Sequence, residues 1–215
     1  MIRAVIFDLD GVLVSTDELH YLAWKQLADA EGIHFDRAIN HRLRGVSRMQ
    51  SLEIILERAA RSYSPEQKAA MAEAKNAKYR ELLSTLTPAD ALPGADAMVS
   101  AVQARGVKIA IGSSSRNTAL ILERLGWSDR FDVVVDGNDI QHSKPHPEVF
   151  VLAARRLGVP PARCLVVEDA AVGVDAARRA GMAVFGIGAA ERLPGVDRLA
   201  PSLADVSVDA LLSEG

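Results

Sequence analysis

Five short apolar runs punctuate the chain, at residues 4–7, 107–111, 132–135, 165–167 and 183–187. None alternates cleanly between apolar and polar positions, which predicts strands buried on both faces rather than strands with one wet side. Between and after them, apolar residues recur at helical spacing. Met98, Ala101 and Val102 precede Gly106, Leu122 and Leu125 precede Gly126, and Val149, Leu152, Ala153 and Leu157 precede Gly158. Each glycine falls where a helix C-terminus accepts a left-handed residue. Strands alternating with helices predict an α/β fold, a Rossmann-like parallel sheet covered by helices on both faces.

The alternation breaks over residues 15–89, where no strand pattern occurs and helix starts follow one another. Ser47 with Gln50 forms a capping-box pattern ahead of Leu52, Ile55, Leu56 and Ala59. Ser64, Pro65 and Gln67 repeat the device, with proline at the first helical position. This stretch is therefore expected to be an all-helical cap domain inserted into a core domain formed by residues 1–14 and 90–215. Two connections, at residues 14–16 and 86–94, make a hinge plausible.

Composition narrows the classes. A chain of 215 residues can bury one moderate core plus a smaller insert. Its longest apolar runs fall far short of the roughly 20 residues that span a bilayer, and Arg3 is followed by too few apolar residues for a signal peptide. A cytoplasmic protein is expected, without a membrane partner. A net charge of −3 argues against a general nucleic-acid binder. The single cysteine, Cys164, lies in an apolar run and reads as a buried structural thiol. Locally, residues 37–52 carry Arg37, His41, Arg42, Arg44 and Arg48 with no acid, either a solvated basic face or a docking site for a small anion. His34, His41, His142 and His146 show no metal-ligand pairing and are assigned no role.

The candidate chemistry lies at strand ends, where open α/β sheets bind ligands. The first run ends in Asp8-Leu9-Asp10-Gly11. In an extended segment residues i and i+2 point to one side, so Asp8 and Asp10 can face one pocket, where Mg²⁺ is the natural third party to two close carboxylates. The competing reading is a turn whose aspartates cap the next helix. The second run leads into Gly112-Ser113-Ser114-Ser115-Arg116-Asn117, hydroxyls and a helix start suited to a phosphoryl group. After the third comes Ser143-Lys144-Pro145, whose lysine can neutralise a phosphoryl oxygen. The fourth ends in Glu168-Asp169, adding oxygen ligands for a hard cation.

These four segments, in this order, resemble the motifs of the haloacid dehalogenase superfamily over essentially the whole chain. The resemblance implies that Asp8 is the nucleophile that forms an aspartyl phosphate and Asp10 the general acid and base. It puts Mg²⁺ on the Asp8 carboxylate, the Asp10 main-chain carbonyl and Asp169, with Glu168 close by, and leaves Ser113 and Lys144 to hold the phosphoryl oxygens. Within the superfamily the cap resembles the β-phosphoglucomutases, through Thr16 to Lys25, the segment Arg44 to Arg48 with Ser51 and Leu52, Lys75 and Asn76 with Tyr79, residues 87–90 leading to Pro93-Gly94, and the core stretch 114–117. That likeness implies a sugar-phosphate site drawn from Thr16, His20, Trp24, Lys25, Gly45, Val46, Ser47, Arg48, Ser51, Lys75, Asn76, Ser114, Ser115, Arg116 and Asn117. Arg48 would take the nontransferring phosphate, Ser51 and Lys75 would lie near the sugar, and His20 would help to position Asp10. A monomeric mutase passing through β-glucose 1,6-bisphosphate is expected, and a Mg²⁺-dependent sugar-phosphate phosphatase is the alternative. On residue pattern alone Trp24 is equally a core residue, and Lys25 and Lys75 are equally helix-surface residues. Arg44, Arg116 and Ala170 depart from the pattern, which often has lysine, lysine and serine there.

Overall fold

A computed structural model describes residues 1–43, 46–190 and 193–213. The chain divides into two compact units, residues 16–86 and the remainder, 1–15 with 87–215. The larger unit holds a six-stranded sheet: β1 (Ala4–Phe7), β2 (Lys108–Gly112), β3 (Val133–Val135), β4 (Cys164–Glu168), β5 (Ala183–Ile187) and β6 (Arg198–Ala200). Its order is β3-β2-β1-β4-β5-β6 and every pairing is parallel. The sixth strand is missing from the sequence reading, because three residues with an arginine at their head make no apolar run.

Burial explains the lack of alternation. Ala4, Ile6, Ala110, Cys164, Val166 and Val184 pack with Val149, Phe150 and Ala153 of α7 (Glu148–Leu157) and Ala176 and Ala177 of α8 (Ala171–Arg179) in one cluster. The intervening Val5, Phe7, Ile109, Ile111, Leu165 and Val167 are just as buried, so the opposite face is covered too. Helix α5 (Ala95–Ala104) packs against β2, α6 (Thr118–Arg124) follows that strand, and α9 (Val208–Leu212) ends the described chain. Gly106, Gly126 and Gly158 all have positive φ, each just past a helix, where an added Cβ would meet nothing within 4 Å. Their requirement is therefore conformational rather than steric. Cys164 is buried, and its thiol is pushed up to about 11 by burial, which makes it inert as a nucleophile at neutral pH.

The smaller unit is all helical: α1 (Asp17–Ala30), α2 (Arg37–His41), α3 (Arg48–Leu56) and α4 (Pro65–Leu83). Ser47 with Gln50 and Ser64 with Gln67 both close complete capping boxes. Trp24, Ala28, Ile33, Phe35, Leu52, Ile55, Met71 and Ala72 form its core. No helix among the described residues is long and apolar enough to cross a membrane.

Candidate active site

The sheet order reverses direction between β1 and β4, which pair directly, and that switch point is where the chemistry-bearing residues gather. Phe7 pairs with Val167, and the Asp8 amide donates to the Val167 carbonyl at 2.9 Å, so Asp8 leaves β1 beside the end of β4. Ligand oxygens of Asp8, Glu168 and Asp169 all lie within 4.8 Å of one another. Lys144 enters from the segment after β3, and its ammonium donates to Asp8 Oδ1 at 2.6 Å and stands 3.5 Å from Glu168 Oε2. Asp8, Lys144 and Glu168 are all buried.

The electrostatics of this group are tightly balanced. Burial pulls the Lys144 ammonium down, but the carboxylates of Asp8, Glu168 and Asp169 outweigh it and raise its pKa. Burial and then the charge of Asp8 push the Glu168 carboxyl well above the usual carboxylate range, with Lys144 opposing. Glu168 Oε2 is buried without a hydrogen-bond partner. A hard divalent cation fits this donor set: it needs oxygen ligands, it would occupy the orphaned acceptor, and it would cancel the repulsion among three carboxylates. Backbone packing holds the cluster tight. A Cβ on Gly11, whose φ is +91°, would sit 2.2 Å from Asp169 Oδ2, and one on Gly173 would sit 1.8 Å from Glu168 Oε1.

The chain bends at Leu9 and Asp10 pairs in an isolated bridge with Val14, while the Gly11 amide donates to the Val14 carbonyl at 2.7 Å. The segment beyond Phe7 is a tight turn and not an extended strand, so the direction of the Asp10 side chain is set by turn geometry rather than by strand alternation. At the end of β2, the Ser113 amide donates to the Val135 carbonyl, and its hydroxyl oxygen accepts from the Ser115 amide at 3.1 Å. Ser115 Oγ accepts from the Asn117 amide, Ser114 Oγ is buried without a partner, Asn117 is buried, and Arg116 is exposed.

In the helical unit the structure groups some expected residues and disperses others. Lys75 is buried, which removes the alternative of an ordinary helix-surface lysine. Its ammonium donates to His20 Nδ1 at 2.8 Å and lies 4.7 Å from the Trp24 ring centre and 4.5 Å from that of Tyr79. His20 stacks on Tyr79, and the Tyr79 hydroxyl is 2.8 Å from Thr16 Oγ1. Trp24 belongs to the core of the unit. Arg48 donates to Asn76 Oδ1 at 2.8 Å and stands 3.5 Å from Glu73. Ser51 is buried, and Ser47 caps α3, directly after Val46. Lys25 pairs with Asp29 one turn along α1, an ordinary helix-surface ion pair. The basic segment is not a free positive face either: Arg37 pairs with Glu18 and Arg42 with Glu57, acids distant in sequence. Gly45 and Arg44 lie outside the described residues. Tyr79 and Glu73 are the contributors that residue pattern did not single out for a role; Tyr79 could have been found one helical turn from Lys75.

Burial, then the charges of Lys75 and Arg48, lower the His20 pKa well below 6.5. A neutral imidazole with its Nδ1 accepting from Lys75 carries its proton on Nε2. Below pH 6.5 the unfolded chain binds a proton that folded His20 refuses, so stability is full above that pH and falls as pH drops. We expect this slope to approach about 1.4 kcal/mol per pH unit and to disappear in His20→Gln. Urea unfolding of both proteins between pH 7.5 and 5.5 measures it, and parallel curves would refute it.

Similarity to known proteins runs along nearly the whole chain. A family model described as haloacid dehalogenase-like hydrolase matches residues 2–181. The β-phosphoglucomutase of Bacillus subtilis is 41% identical over 99% of this chain and 95% of its own length. The crystal structure of a β-phosphoglucomutase from Clostridium difficile superposes with a TM-score of 0.91 at 40% identity, covering 96% of this chain and 94% of that one. A fructose-1-phosphate phosphatase of Escherichia coli is 34% identical over 83% of this chain and 92% of its own.

Proposed function

The chain belongs to the haloacid dehalogenase-like hydrolases, in the branch of the β-phosphoglucomutases, and on that premise we propose that it interconverts β-D-glucose 1-phosphate and D-glucose 6-phosphate through β-glucose 1,6-bisphosphate. The observation that carries phosphoryl transfer is the buried Lys144–Asp8 contact at 2.6 Å inside a carboxylate cluster at the sheet's switch point. The choice of substrate is supported by similarity that runs through the helical unit as well as the core.

In this reading Asp8 carries the phosphoryl group as a mixed anhydride. The sugar's C6 hydroxyl attacks phosphorus, its proton passes to Asp10, and the Asp8 carboxylate leaves. With the bisphosphate reoriented, Asp8 attacks the C1 phosphorus, and Asp10 returns the proton to the departing C1 oxygen. Lys144 stays beside Asp8 throughout and offsets charge on the nonbridging oxygens. Mg²⁺, when held by Asp8, Asp169 and the Asp10 carbonyl with Glu168 nearby, would neutralise phosphoryl charge. Ser113 and the 114–117 turn hold phosphoryl oxygens, and Arg48 takes the second phosphate, with Lys75 and Ser51 toward the sugar. Protein, Mg²⁺, anomerically pure β-glucose 1-phosphate and a trace of bisphosphate should yield glucose 6-phosphate. Release of only glucose and inorganic phosphate would replace this reading with that of a sugar-phosphate phosphatase, the activity named for the Escherichia coli relative.

Glu73 stands where it competes with a phosphate for Arg48. The pair is largely solvent-exposed on the glutamate side, so its strength is roughly 0.2–1 kcal/mol. Glu73→Gln should therefore lower KM for the sugar phosphate by up to about fivefold with kcat unchanged. An unaltered KM in steady-state assays would place the second phosphate elsewhere.

A further inference from the structure

The segment that delivers Lys144 carries a second group of metal-ligating side chains, unrelated to the carboxylate cluster. His142, His146 and Glu148 present ligand atoms that all lie within 4.8 Å of one another. The Glu148 carboxylate is anchored first: Oε1 accepts from the Gln141 amide at 3.1 Å and Oε2 from the His142 amide at 2.9 Å. These bonds hold its carboxyl below the usual carboxylate range. Glu148 Oε2 is then 3.1 Å from His142 Nδ1 and 3.8 Å from His146 Nδ1. A tetrahedral ion with metal–ligand bonds near 2.0–2.1 Å needs ligand atoms about 3.4 Å apart, and the two distances bracket that value. The His146 Nδ1 already acts as an acceptor, from the Glu148 amide at 3.3 Å, so its ring is in the Nε2–H tautomer with a lone pair on the nitrogen a metal would use. On binding an ion the His146 ring would give up that long hydrogen bond, and His142 would lose the Nδ1 proton it donates to Glu148 Oε2. Both rings are more than half exposed, 63% for His142 and 51% for His146, leaving a face open to water as a fourth ligand.

We propose that His142, His146 and Glu148 bind a borderline divalent ion of the Zn²⁺ class. The two clusters sort metals by ligand chemistry. Imidazole nitrogens favour Zn²⁺, Ni²⁺ or Cu²⁺, whereas the all-oxygen set of Asp8, Glu168 and Asp169 favours a hard ion. The two histidines, four residues apart, lie outside any helix, and a turn with the His146 amide donating to the Ser143 carbonyl at 3.0 Å brings their rings to 4.6 Å between centroids. An ion there would clasp the chain on both sides of Lys144.

The test is Zn²⁺ titration by calorimetry in saturating Mg²⁺, which fills the hard site, on the full-length protein and on a His142→Ala/His146→Ala variant. The wild type should take up one equivalent, and the variant should bind at least about 10- to 100-fold more weakly while retaining its Mg²⁺-supported activity and its melting temperature in Mg²⁺ alone. With Co²⁺ as probe, the wild type should show the visible absorption of a tetrahedral ion and the variant should not. Undiminished Zn²⁺ binding by the variant, or no binding by the wild type beyond the Mg²⁺ site, would overturn the proposal. Neither outcome bears on the mutase reading, which rests on other residues.

Discussion

Asp8→Asn should lower turnover by at least about 10⁴-fold, the scale on which removal of a covalent nucleophile is felt, and should abolish acid-stable labelling of the protein by phosphoryl donor. The amide is nearly isosteric with the carboxylate but cannot serve as the anionic nucleophile. Folding should survive the change, for two reasons. The bond that aligns this position is made by the Asp8 main-chain amide to Val167, which the substitution keeps. Lys144 still faces Glu168 and Asp169, so its charge stays compensated. Measured kcat, phosphoenzyme yield and melting temperature together check the claim. Residual turnover within about tenfold of wild type would require a different nucleophile.

Lys144→Met should have the second largest effect, and on two quantities. Loss of the cation next to the phosphoryl acceptor should reduce kcat by about 10²- to 10³-fold. It also leaves three neighbouring carboxylates, two of them buried, without their ammonium partner. Breaking a buried ion group from one side costs about 3–5 kcal/mol, and this cost should appear in the Mg²⁺-free protein. Its pH dependence has a definite sign. Glu168 already holds its proton far above 4.5 when folded, so the stability it contributes is present at low pH and is lost as pH rises toward its folded pKa. Without Lys144 that pKa rises further, so the variant should recover toward wild type as pH falls. Added Mg²⁺ should restore part of the deficit at neutral pH by taking over the neutralising role. Denaturant unfolding at two pH values, with and without Mg²⁺, separates these contributions. A deficit independent of both would mean that Lys144 acts only by packing.

The parallel sheet was legible because burial on both faces writes itself as unbroken apolar runs. Residues 4–7 and 183–187 coincide with β1 and β5. The others shift at their ends: Val107 and Asp132 fall outside β2 and β3, while Gly112, Cys164 and Glu168 fall inside β2 and β4. Polar and glycine residues at strand ends pair through their backbones regardless of side chain, so hydropathy misplaces them. The helix starts at Ser47 and Ser64 were legible for the opposite reason, since a capping box is a contact three residues long.

Charges resisted the same treatment. Arg37 and Arg42 looked like an uncompensated positive stretch, yet Glu18 and Glu57, 19 and 15 residues away, neutralise them. Lys25 and Lys75 both pass for helix-surface residues on residue pattern, but one pairs with Asp29 at the surface and the other is buried against His20, Trp24 and Tyr79. His142 and His146 carried no recognisable spacing until a turn outside any helix brought their rings together.

Sequence by itself determined the fold class and which strand-end segments carry Asp8, Ser113, Lys144 and the Glu168–Asp169 pair, because apolar periodicity and motif order are local and survive in one dimension. Tertiary structure alone decided that Asp10 lies in a turn bridged to Val14, that Glu168 keeps a buried oxygen without a hydrogen bond, and that Lys75 rather than Lys25 is enclosed. These outcomes depend on desolvation and on charge pairs closed across long sequence separations, quantities that exist only once the chain has folded.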